Sequence, residues 1–232
     1  MKTPPQRDYF PILLQLTGHP CLVIGGGRVA YRKIQSLLQA GARVTVISPQ
    51  MVPELEALAT AHAADAQPEG TASLRLIHRP YAPGDLQGYR LIFAATGNRE
   101  VNEACRQEAE HSGALLNVVD VPDLCDFIMP AVHQQGDLLF MVCSQGKSPM
   151  LTKRLRQELQ QRYGPAYGRV AEVMGELRQQ AFQDLPDIRH RREVFRHLIE
   201  DGPVDEALTL PPEEARQHLW AAYRQMTKQD ET

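Results

Sequence analysis

Cys21-Leu22-Val23-Ile24-Gly25-Gly26-Gly27-Arg28-Val29-Ala30 is the stretch on which the fold turns. Four small or apolar residues run straight into three glycines. The residues beyond carry apolar side chains at helical spacing: Ala30, Ile34, Leu37 and Leu38. As G-x-G-x-x-A, the pattern uses Gly25, Gly27 and Ala30. The first glycine permits a tight turn, and the second lets backbone lie against a pyrophosphate. The small third residue lets the helix pack close to the strand. The helix N-terminus then faces the phosphates, where its amides favour an anion. Alone this pattern is weak, but here a strand precedes it and a helix follows. The competing reading is a purely structural glycine turn.

The same rhythm continues outward. Short apolar runs at 21–24, 43–47, 74–77, 90–95 and 115–119 read as strands, and 28–40, 52–63 and 99–112 read as helices. Gly41 suits the end of the first helix. Such a βαβ alternation predicts a parallel sheet covered by helices. Residues 64–73 read as a loop. After Asp120 the pattern changes: 126–129 and 137–144 read as two more strands. Gly146-Lys147-Ser148-Pro149 then starts a run of helices, with Ser148 suited to the N-cap and Pro149 to the first helical position. Further helices are expected over 166–183, 187–200 and 212–227. The last carries Leu219, Tyr223 and Met226 on one face beside Trp220, a stripe that suits core or a subunit contact. The expected fold class is α/β. A Rossmann-like parallel sheet (1–114) is followed by a small β-containing dimerisation segment (115–148) and a C-terminal helical domain (149–232).

The 232 residues, 43% of them hydrophobic, suffice for a buried core, and no apolar run approaches a membrane span. The N-terminus lacks the apolar region of a signal peptide, so a cytoplasmic location is expected. Cys21, Cys105, Cys125 and Cys143 are dispersed and read as small buried apolar residues rather than disulfides or metal ligands. A net charge of −3 does not suggest nucleic acid, but its distribution is uneven. From Lys147 to Arg196 eleven basic residues face six acids, a local balance of +5. From Asp201 onward the balance is −4. Solvated helix faces explain both, and a cationic lobe for a polyanionic small molecule is the sharper reading.

In an open parallel sheet, ligands bind beyond the carboxyl ends of the strands. Three such ends are polar here: Ser48-Pro49-Gln50, Thr96-Gly97-Asn98, and Asn117 with Asp120. Many NAD sites place an acid after the second strand to bind the ribose 2′-hydroxyl. Ser48 accepts that bond too but does not repel a 2′-phosphate, which Arg28 and Arg32 would attract. Asp120 has two readings, a base at the cleft mouth and a turn residue beside Pro122. Asp123 and Asp126 read as turn residues, and His133 as a surface or turn histidine. No cluster has metal-ligand spacing.

These residues resemble the precorrin-2 dehydrogenase/ferrochelatase module of siroheme synthase. The match runs through Tyr9-Phe10-Pro11-Ile12, Cys21 to Lys33, Ala94-Ala95-Thr96 with Asn102, and Asn117-Val118-Val119-Asp120 with Phe127-Ile128-Met129-Pro130. Gly146 to Pro149 and Lys153-Arg154-Leu155-Arg156 complete it, so it spans 9–156. The resemblance implies NAD-dependent oxidation of precorrin-2 to sirohydrochlorin, followed in some members by insertion of ferrous iron at the same site. It implies a homodimer and Asp120 as the catalytic carboxylate, where substrate iron would also pass. Gly25, Gly26, Gly27, Arg28, Val29, Ser48, Pro49, Gln50 and Thr96 are expected to line the NAD site. Asn117, Lys147 and Ser148 are expected near the anionic tetrapyrrole. No methyltransferase domain follows, so precorrin-2 is expected from a separate enzyme. Two alternatives stand: a dehydrogenase without chelatase activity, and an NAD-sensing regulatory module, which needs the glycine loop but neither Asp120 nor a basic lobe.

Overall fold

A computed structural model describes residues 8–64 and 72–228; most of the loop expected over 64–73 lies outside them. The chain divides into two compact units, Met1–Ile128 and Met129–Thr232.

The first unit is a five-stranded parallel sheet in the order β3-β2-β1-β4-β5. Its strands are β1 (Pro20–Ile24), β2 (Arg43–Ile47), β3 (Ser73–Ile77), β4 (Leu91–Ala94) and β5 (Leu115–Val118). Helices α1 (Arg28–Gln39), α2 (Pro53–Ala64) and α3 (Arg99–Ser112) alternate with them. The sheet is buried on both faces because successive side chains point to opposite sides. Cys21 and Val23 join Ala30, Ile34, Leu37 and Leu38 of α1 on one side. Leu22 and Ile24 join Ile92, Ala94, Leu116 and Val118 with Cys105 and Ala109 of α3 on the other. β1 lies between β2 and β4, so the strand order reverses direction at the glycine loop. That reversal is where such sheets open a crevice.

The second unit begins with an antiparallel hairpin, β6 (Ala131–Gln135) and β7 (Leu138–Val142). Among the described residues five helices follow: α4 (Pro149–Arg162), α5 (Pro165–Asp184), α6 (Ile188–Glu200), α7 (Pro203–Thr209) and α8 (Pro212–Lys228). Val170, Val173, Leu177 and Ala181 of α5 recur at three- and four-residue steps and pack with Val194, Leu198, Leu219 and Tyr223. The Tyr223 hydroxyl donates to Asp184 at 2.9 Å. Burial, reinforced by that carboxylate, raises its pKa.

Several expectations are corrected. Leu115–Val118 pairs with β4 as the fifth strand of the sheet, and the first compact unit runs to Ile128. The first hairpin strand is 131–135, not 126–129, because Asp126 and Phe127 are held by bonds to β5. Helix α7 lies in a stretch for which no separate helix is expected. His133 is buried, not a surface residue: Nε2 lies 2.9 Å from the Tyr163 carbonyl and the ring stacks on Phe140 at 5.6 Å. Cys21 and Cys105 are buried as expected, but Cys125 is half-buried and Cys143 exposed.

Candidate functional site

The three glycines do different work. Gly25 has φ +115°, a left-handed backbone that disfavours side chains, and a Cβ there would sit 2.4 Å from the Ala95 carbonyl oxygen. Its amide donates to Ile47 O at 2.9 Å, and Ala95 N donates to Ile24 O at 2.7 Å, tying the ends of β1, β2 and β4 together. A Cβ on Gly26 would meet Gln50 O at 2.4 Å. A Cβ on Gly27 would meet nothing within 4 Å. Gly27 has an extended backbone, caps α1 without a side-chain hydrogen bond, and is followed by no acid in the first helical turn. The fold therefore requires Gly25 and Gly26 to be small, while at Gly27 the open space faces outward. A helix N-terminus left bare beside such a space fits a dinucleotide pyrophosphate. Gly25 to Val29, Ser48 to Gln50 and Thr96 all lie at the carboxyl edge of this sheet.

Thr96 is fixed from two sides. Its hydroxyl accepts from Asn98 N at 3.1 Å, and its carbonyl accepts from Asn102 Nδ2 at 3.2 Å. Asn98 in turn caps α3 by accepting from Val101 N at 3.2 Å. Ser48 is buried, and its hydroxyl donates to Gln50 O at 2.6 Å.

Asp120 follows β5 at the same edge and is exposed. Its φ is +60°, a conformation rare outside glycine that aspartate tolerates better than most. The turn is clamped at its base. Cys125 Sγ accepts from Val118 N at 3.1 Å, and Asp126 Oδ2 accepts from Leu116 N at 2.9 Å. Asp126 N returns a bond to Leu116 O at 2.8 Å, and Asp126 Oδ1 pairs with Arg106 of α3 at 2.7 Å. Asn117 belongs to this clamp: its Nδ2 donates to Phe127 O at 2.9 Å. Its NH2 group is thus committed inside the fold.

Lys33 is a neighbour of Asp120 that motif reasoning does not assign. Its ammonium lies 5.7 Å from the Phe93 ring centroid, and Phe93 meets Phe127 edge-on at 5.5 Å. Burial and then Arg32 lower its pKa, against an opposing pull from Asp120. Its position four residues after Val29, on the same helical face, is the signal that could have found it. Lys147 and Ser148 belong to the second unit. There Ser148 caps α4, accepting from Leu151 N at 3.3 Å, and Lys147 is exposed. Among the described residues no cluster of His, Cys, Asp and Glu could hold a metal ion, and no helix is long and apolar enough to cross a membrane.

An NAD(P)-binding family model matches residues 12–131, and the sirohaem synthase dimerisation region matches 166–222. The siroheme synthase of Methylococcus capsulatus is 37% identical over 223 residues, covering 96% of this chain and 45% of that protein. That of Methylobacillus flagellatus is 36% identical over 211 residues, covering 91% and 43%. The chain thus spans less than half the length of these relatives. In fold it is similar to the solved structure of SirC, precorrin-2 dehydrogenase, with TM-score 0.75 and 24% identity, covering 94% of this chain and all of that one. With the NAD(P)-binding part and the dimerisation part in this order, the chain belongs to the family of the siroheme synthase N-terminal module.

Proposed function

We propose that this chain oxidises precorrin-2 to sirohydrochlorin with a nicotinamide dinucleotide as oxidant. The observation that carries the reading is the pairing, on one sheet edge, of a bare α1 N-terminus beside Gly27 with an exposed carboxylate, Asp120, in a left-handed turn. Strain of this kind, held by a clamp, is a mark of functional positions. An NAD-sensing module would need the first feature and not the second.

When bound, the dinucleotide supplies a two-electron oxidant. Gly27 and the first amides of α1 would hold its pyrophosphate, and Ser48 its adenosine ribose. Oxidation of the macrocycle also releases a proton, and Asp120 takes it as general base. The same carboxylate would receive pyrrole protons when ferrous iron, as substrate, enters sirohydrochlorin. Lys147, an exposed cation, and Ser148 belong to the same reading as residues for the substrate carboxylates. A homodimer and a cytoplasmic location belong to the same reading. Supporting the dimer, Val132 and Met141 face each other across the hairpin and are exposed. Supporting the location, no disulfide links the four cysteines.

Replacing Asp120 with Asn keeps the shape and removes the base. Precorrin-2 supplied to the Asp120→Asn variant should reduce NAD at least about a hundredfold more slowly, with dinucleotide affinity by calorimetry retained. Iron insertion, followed in parallel from sirohydrochlorin, should fall with it if it shares the carboxylate. Dinucleotide reduction at the wild-type rate in this variant would remove Asp120 from the mechanism. A wild-type protein that binds dinucleotide and leaves precorrin-2 unoxidised would favour the sensing module.

A further inference from the structure

Helix α1 and the strand that leads to Asp120 meet at one aromatic pair. Phe93 of β4 is paired with Asn117 of β5. Asn117 Nδ2 donates to the Phe127 carbonyl at 2.9 Å, and the Phe127 ring meets Phe93 edge-on at 5.5 Å. Asp120 follows Asn117 by three residues, so the aromatic pair and the Asp120 turn share one support. Lys33 reaches that support from α1, with its ammonium 5.7 Å from the centre of the Phe93 ring.

The lysine is half-buried there, yet among the described residues its ammonium forms no ion pair, with Asp120 or with any other carboxylate. Taking an ammonium partly out of water costs free energy, which lysines avoid by reaching to solvent or recover by pairing. The ring face returns part of that cost. Burial is the main cause that lowers the pKa of Lys33, Arg32 adds to it, and the charge of Asp120 opposes both. The signs agree: the ammonium is short of negative charge, and Asp120 supplies only some of it from beyond ion-pair distance. A carboxylate entering beside it would supply the rest. Partial desolvation makes such a contact stronger than one to a surface lysine.

Two anions are expected at this sheet edge. The dinucleotide pyrophosphate belongs at Gly27 and the first amides of α1. Lys33 stands a turn further on, over Phe93 and towards Phe127 and the Asp120 turn. On that side the carboxylates to be met are the acetate and propionate arms of the macrocycle.

We propose that Lys33 anchors one carboxylate arm of the tetrapyrrole and so holds that edge of the macrocycle at Asp120. The proposal rests on the precorrin-2 reading given above and adds to it a residue that orients the substrate.

Equilibrium titration of the full chain with sirohydrochlorin, which carries the same arms as precorrin-2, tests it without turnover. Lys33→Met keeps an apolar stem over Phe93 and removes the charge. It should weaken sirohydrochlorin binding at least about tenfold, the order expected for loss of a charge-assisted contact. The KM for precorrin-2 should rise by a similar factor, with NAD affinity by calorimetry within about twofold of wild type. Added salt should weaken sirohydrochlorin binding more steeply in wild type than in the variant. A lysine that only packs on Phe93 would move none of these. If Lys33→Met does not fold, as judged by circular dichroism, Lys33→Gln takes its place. Unchanged sirohydrochlorin affinity in the folded variant would overturn the proposal. So would a loss confined to NAD, which would give the ammonium to the pyrophosphate. Either result leaves the dehydrogenase reading standing. A wild type that binds NAD but neither binds sirohydrochlorin nor oxidises precorrin-2 would take that reading down, and this proposal with it.

Discussion

At the scale of single residues, the glycine loop makes a separable pair of demands. Gly25 answers to the fold: its backbone is left-handed and a methyl group would collide with Ala95. Gly27 answers to nothing inside the chain. Gly25→Ala should therefore lower stability by several kcal/mol or prevent folding, since strain and overlap coincide. Gly27→Ala should melt within about 2 °C of wild type, because an exposed position with ordinary backbone rarely matters for stability. Its dinucleotide affinity should nevertheless fall at least about tenfold, as a methyl group blocks backbone from the pyrophosphate. Thermal melting and calorimetry on both variants check this. Unchanged affinity in a folded Gly27→Ala variant would empty the cradle argument. The three glycines were legible in sequence as one motif. The turn demand at Gly25 was legible with it, but the tight fit at Gly26 was not, because it depends on what Gln50 brings from beyond β2.

At the scale of elements, the turn after β5 shows where local reading stops. Residues 126–129 look like a strand because Phe127, Ile128 and Met129 are apolar. Yet Asp126 spends its backbone and side chain on Leu116, and Arg106 completes the clamp from a helix twenty residues away. No periodicity announces a pairing of that range. His133 was misjudged for the same reason, since its partner is the Tyr163 carbonyl, thirty residues on. By contrast β1, α1 and the capped start of α4 follow from residues within one or two turns of each other, and they were legible. The clamp carries its own prediction. Asp126→Ala leaves the amide of Leu116, itself fully buried, without its acceptor. That should cost about 1–3 kcal/mol in urea unfolding. Because the clamp sets the Asp120 turn and not the glycine loop, dinucleotide affinity should hold while precorrin-2 oxidation slows. A variant as stable as wild type would show that the Asp126–Leu116 bond is not formed in solution.

At the scale of the whole molecule, the open matter is what covers the apolar side chains each unit leaves in water. In the second unit Val132, Leu139 and Met141 are exposed on the hairpin, each between 39% and 42%. Val132 and Met141 are cross-strand partners, so they form one patch with Leu139. A two-stranded ribbon is marginal alone and gains most from a covered face. The same unit also exposes Phe182, Ile188 and Ile199 on α5 and α6, within the stretch matching the dimerisation region. Phe182 differs from the hairpin residues in being flanked by Arg178 and Arg191, at 5.8 and 5.0 Å from its ring. Phe182, Ile188 and Ile199 are more exposed than the hairpin residues, at 54–60%. The hairpin is expected at the seam of the proposed homodimer because its apolar side chains lie together on one face of the ribbon. Sedimentation should give twice the 26.0 kDa chain mass for wild type. Met141→Asp puts a charge into the seam and should shift the protein to the monomer at micromolar concentration, since an unpaired buried charge costs several kcal/mol. Phe182→Asp should sediment as wild type does. A monomeric wild type would end the homodimer reading. A dimeric Met141→Asp beside a monomeric Phe182→Asp would move the seam from the hairpin to α5 and α6.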